Sequence, residues 1–148
     1  MCTMHHEYSA ELKGSQRIRE YLFGGKGIVT LLSPSGKWRT YRFELPHMAG
    51  RFPAGTLFAY VKMKHDNWRY VGMVKGSDFR STRGTTFRYN SPEYKGAEYI
   101  VKMMYYDINT PMKLFHEGIC GVCGRPLTRP QSIESGIGPI CRKKLLSN

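Results

Sequence analysis

Three of the four cysteines fall near the end of the chain. Cys120 and Cys123 sit in His116-Glu117-Gly118-Ile119-Cys120-Gly121-Val122-Cys123-Gly124, and Cys141 follows in Gly136-Ile137-Gly138-Pro139-Ile140-Cys141. A Cys-x-x-Cys pair closed over a glycine turns both thiolates inward, because Gly124 can take backbone angles that other residues resist. That is half of a tetrahedral metal site. The other half comes from a distant element: Pro139 suits the first position of a helix, which puts Cys141 in the first turn, beside the helix's positive end. His116, just upstream, is the nearest donor to complete a Cys₃His zinc site of His116, Cys120, Cys123 and Cys141. Cys2 competes for the fourth position, and His5 and His6 are weaker competitors. Reduced structural thiols are the plain alternative, and a redox Cys-x-x-Cys would expect a βαβ context that this chain lacks. Structural zinc supplies on the order of 10 kcal/mol or more, so most of this tail is expected to fold only with metal.

A chain of 148 residues fits one domain carrying a small metal-bound appendix. The expected division is a basic body over 1–111 and a zinc module over 112–148 packed against it. With 41% hydrophobic residues the chain is globular, and no apolar run is long enough to cross a bilayer. The start, Met1-Cys2-Thr3-Met4-His5-His6-Glu7, has neither a basic nor an apolar leader region, so a cytoplasmic location is expected. Clustered cysteines there bind metal more often than they pair. The net charge is +12 and is uneven: between Lys37 and Arg88 eleven Lys and Arg face only Glu44, Asp66 and Asp78, a net of +8. A soluble surface usually mixes signs more evenly, and a field of this size attracts polyanions.

Residue patterning predicts an α+β fold: an antiparallel meander of about four or five strands covered by one or two helices. Ser15 to Phe23 reads as a short helix capped by Ser15 and stopped by Gly24-Gly25. Strands over 27–32 and 37–43 flank the turn Ser33-Pro34-Ser35-Gly36, and a loop over 46–55 precedes strands at 56–64 and 68–74. Ser77 to Gly84 reads as a loop or a poorly paired edge, with a short strand at Thr86-Phe87-Arg88-Tyr89. Ser91-Pro92-Glu93 opens a helix running to about Asp107, whose Ala97, Ile100, Val101, Met104 and Tyr105 recur at helical steps. An extended piece over 112–116 then leads into the metal site.

Lys37, Arg39, Arg42, Lys62, Lys64, Arg69, Arg80, Arg83 and Arg88 are the candidate phosphate contacts. Trp38, Trp68, Tyr70 and Tyr41 are available for stacking on bases, although core positions suit Trp38 and Trp68 better. Lys37 and Arg39 alternate with Arg42, so one face cannot hold all the cations. The expected function is a nucleic-acid-binding accessory role. The alternative is binding and inhibition of a host or defence protein such as a nuclease, a polymerase or a CRISPR-type complex, whose acidic or nucleic-acid-binding surface the same field would target. Catalysis is not expected, since a saturated zinc leaves no position for an activated water. Glu117 and Glu134 flank the metal motif as surface or supporting groups, and His47 and His65 read as ordinary loop residues.

The stretch from His116 through Cys120 to Arg125, Leu127 to Ile133 and Gly136 to Cys141 resembles a family of small proteins carried by phages, plasmids and some actinobacterial genomes, a domain of unknown function. The family pattern is a histidine, Cys-x-x-Cys-Gly-Arg, Leu-Thr-x-Pro-x-Ser-Ile and Gly-Ile-Gly-Pro-x-Cys. Arg129 departs from it where an acidic residue is usual. Upstream, Gly25-Lys26-Gly27 and Trp68-Arg69-Tyr70-Val71-Gly72 fit more loosely. The resemblance implies an intracellular, zinc-binding, mobile-element setting and assigns no activity.

Overall fold

In a computed structural model, which describes residues 11–47, 50–64, 67–122, 135–138, 141 and 143, the Ser33 to Gly36 turn closes a hairpin as its residues predict. Gly36 takes φ 88° and Ser33 N–H reaches Lys37 O at 2.8 Å, so β1 (Gly27–Leu32) and β2 (Trp38–Glu44) pair antiparallel. β3 (Thr56–Lys62), β4 (Trp68–Lys75) and β5 (Asp78–Arg80) continue the meander on one side, and β6 (Lys113–His116) pairs with β1 on the other. The result is one antiparallel six-stranded sheet in the order β5-β4-β3-β2-β1-β6. The piece leading into the cysteine motif is therefore a strand of the same sheet as the body.

The two faces of this sheet follow from its register, because residues directly opposite each other point the same way. Val29 opposes both Tyr41 and His116, Tyr41 opposes Val61, Phe43 opposes Ala59, and Leu57 opposes Val74. All of these are buried. Val71 is an extra residue between the Ala59↔Gly72 and Tyr60↔Tyr70 pairs, a bulge that buries its side chain as well.

Among the described residues, two helices cover that buried face. α2 (Pro92–Tyr105) starts as its residues dictate, with Ser91 Oγ accepting from Tyr94 N–H at 3.2 Å and Pro92 in the first turn. Tyr94, Ala97, Ile100, Val101 and Met104 face the sheet, and Tyr41 crosses to donate its hydroxyl to Glu93 O at 2.8 Å. α1 (Ser15–Leu22) buries Ile18, Tyr21 and Leu22, and Arg19 Nη1 donates to Met104 O at 2.6 Å, joining the two helices. Among the described residues no helix is long and apolar enough to cross a membrane.

The structure differs from the sequence reading at several points. Ser15 does not cap α1: the cap position is Gly14, and the Ser15 N–H is taken by Asp107 Oδ1 at 2.8 Å, from ninety-two residues away. Thr86 to Tyr89 is not a strand. The edge is the three-residue β5, and Phe87 lies instead under Arg69, whose Cζ is 4.9 Å from the ring. Trp38 is 37% exposed and Trp68 half-buried, so neither belongs to the core. Tyr41, a stacking candidate, is fully buried. The turn around His65 and most of the expected final helix lie outside the described residues.

Candidate metal centre and nucleic-acid interface

Of the four predicted ligands, His116, Cys120 and Cys141 are described, while Cys123 lies outside, as do Cys2, His5 and His6. His116 ends β6, and its register opposite Val29 points the ring into the core, where it is 0% exposed. The ring lies 5.7 Å from that of Tyr21, and its Nδ1 accepts from Gly118 N–H at 2.9 Å. With that lone pair engaged, the neutral ring carries its proton on Nε2, so binding a metal through Nε2 requires the Gly118 hydrogen bond to be given up.

Cys120 is buried, and its Sγ accepts two backbone N–H groups, from Val122 at 3.3 Å and from Gly138 at 3.2 Å. Burial alone would keep a thiol protonated. Two donors aimed at the sulfur favour the anion, which is the form a metal ligand needs. The Gly138 contact also brings in the 135–138 segment, three residues short of the buried Cys141. Gly121 N–H donates to Gly136 O at 2.7 Å beside it. The donor chemistry fits zinc at Cys120, and Cys141 is buried as well. Among the described residues, however, no three His, Cys, Asp or Glu side chains gather closely enough to hold a metal.

Tyr21 seats this segment on the body, a role that its place in a short helix does not signal. Its ring is 0% exposed, and its hydroxyl is within hydrogen-bonding distance of Ile28 N, Ile28 O and Ile119 O. Burial pushes its pKa up. A Cβ at Gly121 or Gly136 would run into this ring, and Gly136 also takes φ 75°. The glycine five residues ahead of Cys141 is thus required by an aromatic more than one hundred residues away.

The opposite face of the sheet carries cations and rings. Arg42 opposes Tyr60, Tyr60 opposes Tyr70, Glu44 opposes Phe58, and Lys62 opposes Trp68. The Arg42 guanidinium carbon lies 4.7 Å from the Tyr60 ring centre and 4.8 Å from that of Trp68. Its Nε meets Glu44 Oε2 at 2.8 Å, off-axis for a hydrogen bond and so an ion pair. Burial raises the pKa of both Tyr60 and Tyr70, leaving the hydroxyls uncharged at neutral pH. Nearer β6, Thr30 and Thr40 hydroxyls share a 2.8 Å hydrogen bond, and Thr30 Oγ1 donates to Glu117 Oε2 at 3.3 Å. Glu117 therefore belongs to this face.

Of the predicted phosphate contacts, the register puts Arg42, Lys62 and Arg80 on this face, Arg80 opposite Met73 at the edge and 3.6 Å from Asp78. Arg39 and Arg69 oppose Leu31 and Val61 and so point to the helix side. There Arg69 is held by Thr86 Oγ1 at 2.7 Å. Lys37, Lys64, Arg83 and Arg88 are exposed on the connections. Phe52, Phe58 and Tyr60 were missed as candidates. The available signal was the period of two in β3, where Phe58, Tyr60 and Lys62 alternate with the buried Leu57, Ala59 and Val61.

Residues 115–146 match a family of unknown function (DUF6011). The match takes in the whole cysteine motif and the end of β6, and leaves the rest of the sheet, α1 and α2 outside it. No curated protein and no solved structure matches the chain.

Proposed function

We propose that this chain is a zinc-containing nucleic-acid-binding protein, an accessory component of a phage or other mobile element, which docks through the open face of its sheet and performs no bond chemistry. The observation that carries the reading is Arg42 held between the Tyr60 and Trp68 rings on a face that neither helix covers. A guanidinium so placed offers charge to phosphate, and the rings around it offer stacking surface to bases. The net charge of +12 supplies the attraction that brings a polyanion there. His116, Cys120, Cys123 and Cys141 would hold the zinc, whose part is to tie the tail to the end of the sheet.

Retardation of labelled oligonucleotides, single- and double-stranded, at roughly 50 and 200 mM salt tests the binding. Complexes at the lower salt that weaken steeply at the higher are expected, and no complex with any oligonucleotide at the lower salt ends the proposal. For the metal, elemental analysis of purified protein should find about one zinc per chain, lost in Cys120→Ser and Cys141→Ser.

A further inference from the structure

The open face carries a connected series of side chains. Phe52, on the loop between β2 and β3, meets Phe58 edge-on with ring centres 5.4 Å apart; Phe58 lies 6.2 Å from Tyr70, and Tyr70 lies 5.6 Å from Tyr60. Arg42 then bridges Tyr60 and Trp68. The series runs across β4, β3 and β2 from the Phe52 loop toward the β4 end that holds Trp68. None of its rings is needed to close the core, which lies on the other side of the sheet.

Resting on the nucleic-acid reading, we infer that the ligand of this track is an unpaired strand, DNA or RNA, whose bases stack on the rings from Phe52 to Trp68 while Arg42 engages a phosphate. Three features point to this class. Large aromatic faces on a sheet expose apolar surface to water, and a planar base stacked on them removes that surface from water. A duplex hides its base faces inside the stack and presents only edges and phosphates, so it could use the cation but not the rings. Arg42 is also the only cation within the series, and among the described residues its side chain is engaged only by Glu44, at Nε, and by the two rings, which leaves its Nη groups to a phosphate oxygen. Glu44 and Asp78 lie on the same face, so the strand is expected to follow the rings around Arg42 rather than spread over the whole surface.

Fluorescence anisotropy with a labelled mixed-sequence oligonucleotide of about twelve nucleotides, as a single strand and annealed to its complement, tests this at one fixed salt. The single strand is expected to bind at least about tenfold tighter than the duplex. Trp68→Ala should weaken single-strand binding by about 5- to 150-fold, the range that corresponds to one lost base stack, with duplex binding unchanged. Because Trp68 is half-buried, Phe52→Ala on the exposed loop serves as a second variant, and melting curves of both confirm folding. Equal affinity for the two forms, with neither variant affecting the single strand, overturns the inference and leaves the broader reading standing. No binding of either form at roughly 50 mM salt overturns both.

Discussion

The two faces of the one sheet are built from the same strands at alternate positions, yet they are put to opposite uses. On the helix side, Val29, Tyr41, Phe43, Leu57 and Val61 are at most 1% exposed and belong to a single cluster with both helices and Cys120. On the other side, Phe58, Tyr60, Trp68 and Tyr70 stay half-exposed and pair with one another and with Arg42. Burial of the first face stabilises the fold. Retention of rings on the second does little for stability, and that is why we propose it as a docking surface.

Substitutions that separate the faces sharpen this contrast. The largest effect is expected from Phe43→Ala or Tyr21→Ala, each removing a fully buried ring and costing about 3–5 kcal/mol in denaturant unfolding. A change much below that would show the core face to be less tightly packed than it looks. Next comes Gly136→Ala, which places a methyl group against the Tyr21 ring at positive φ and should cost about 1–3 kcal/mol. A melting temperature unmoved by it would mean that the cysteine segment is not seated on Tyr21. Tyr60→Ala, on the open face, should cost only about 1 kcal/mol through its lost contact with Arg42 while lowering nucleic-acid affinity. If it unfolds the protein instead, the two faces share one structural role.

The smallest effect concerns acid. Asp107 has its pKa lowered, first by the Ser15 backbone N–H it accepts and then by further groups that include Arg19. A depressed folded pKa means that this contribution is complete above the unfolded value of about 4 and is lost as pH falls through the folded value. Thermal melts between neutral pH and about pH 3 should show a steeper acid-side loss for the native chain than for Asp107→Asn. Parallel curves would remove Asp107 from the account of α1.

Much of this architecture was legible because its signals are local. The Ser33 to Gly36 turn, the alternation of β1 to β4 and the Ser91-Pro92 start of α2 each lie within a few residues of what they specify. Where the signal is short and polar, the sequence points to two places, a strand at Thr86 to Tyr89 and a loop or poorly paired edge over Ser77 to Gly84, and the pairing falls within the second, on Asp78 to Arg80, within reach of β4 across a tight turn. The proposed binding surface was half legible. The cations could be counted, but the exposure of Trp38 and Trp68 could not, because an aromatic residue in a strand reads alike whether its face is covered or open.

The sequence by itself determined the antiparallel strands, the second helix, the cationic middle third and the spacing of the cysteines, since each rests on periodicity, turn chemistry or composition. The tertiary structure alone decided which face the helices cover, that Asp107 holds the start of α1, and that Tyr21 receives Gly121 and Gly136. These are contacts between residues far apart in the chain, and only the packing of one layer on another brings them within reach.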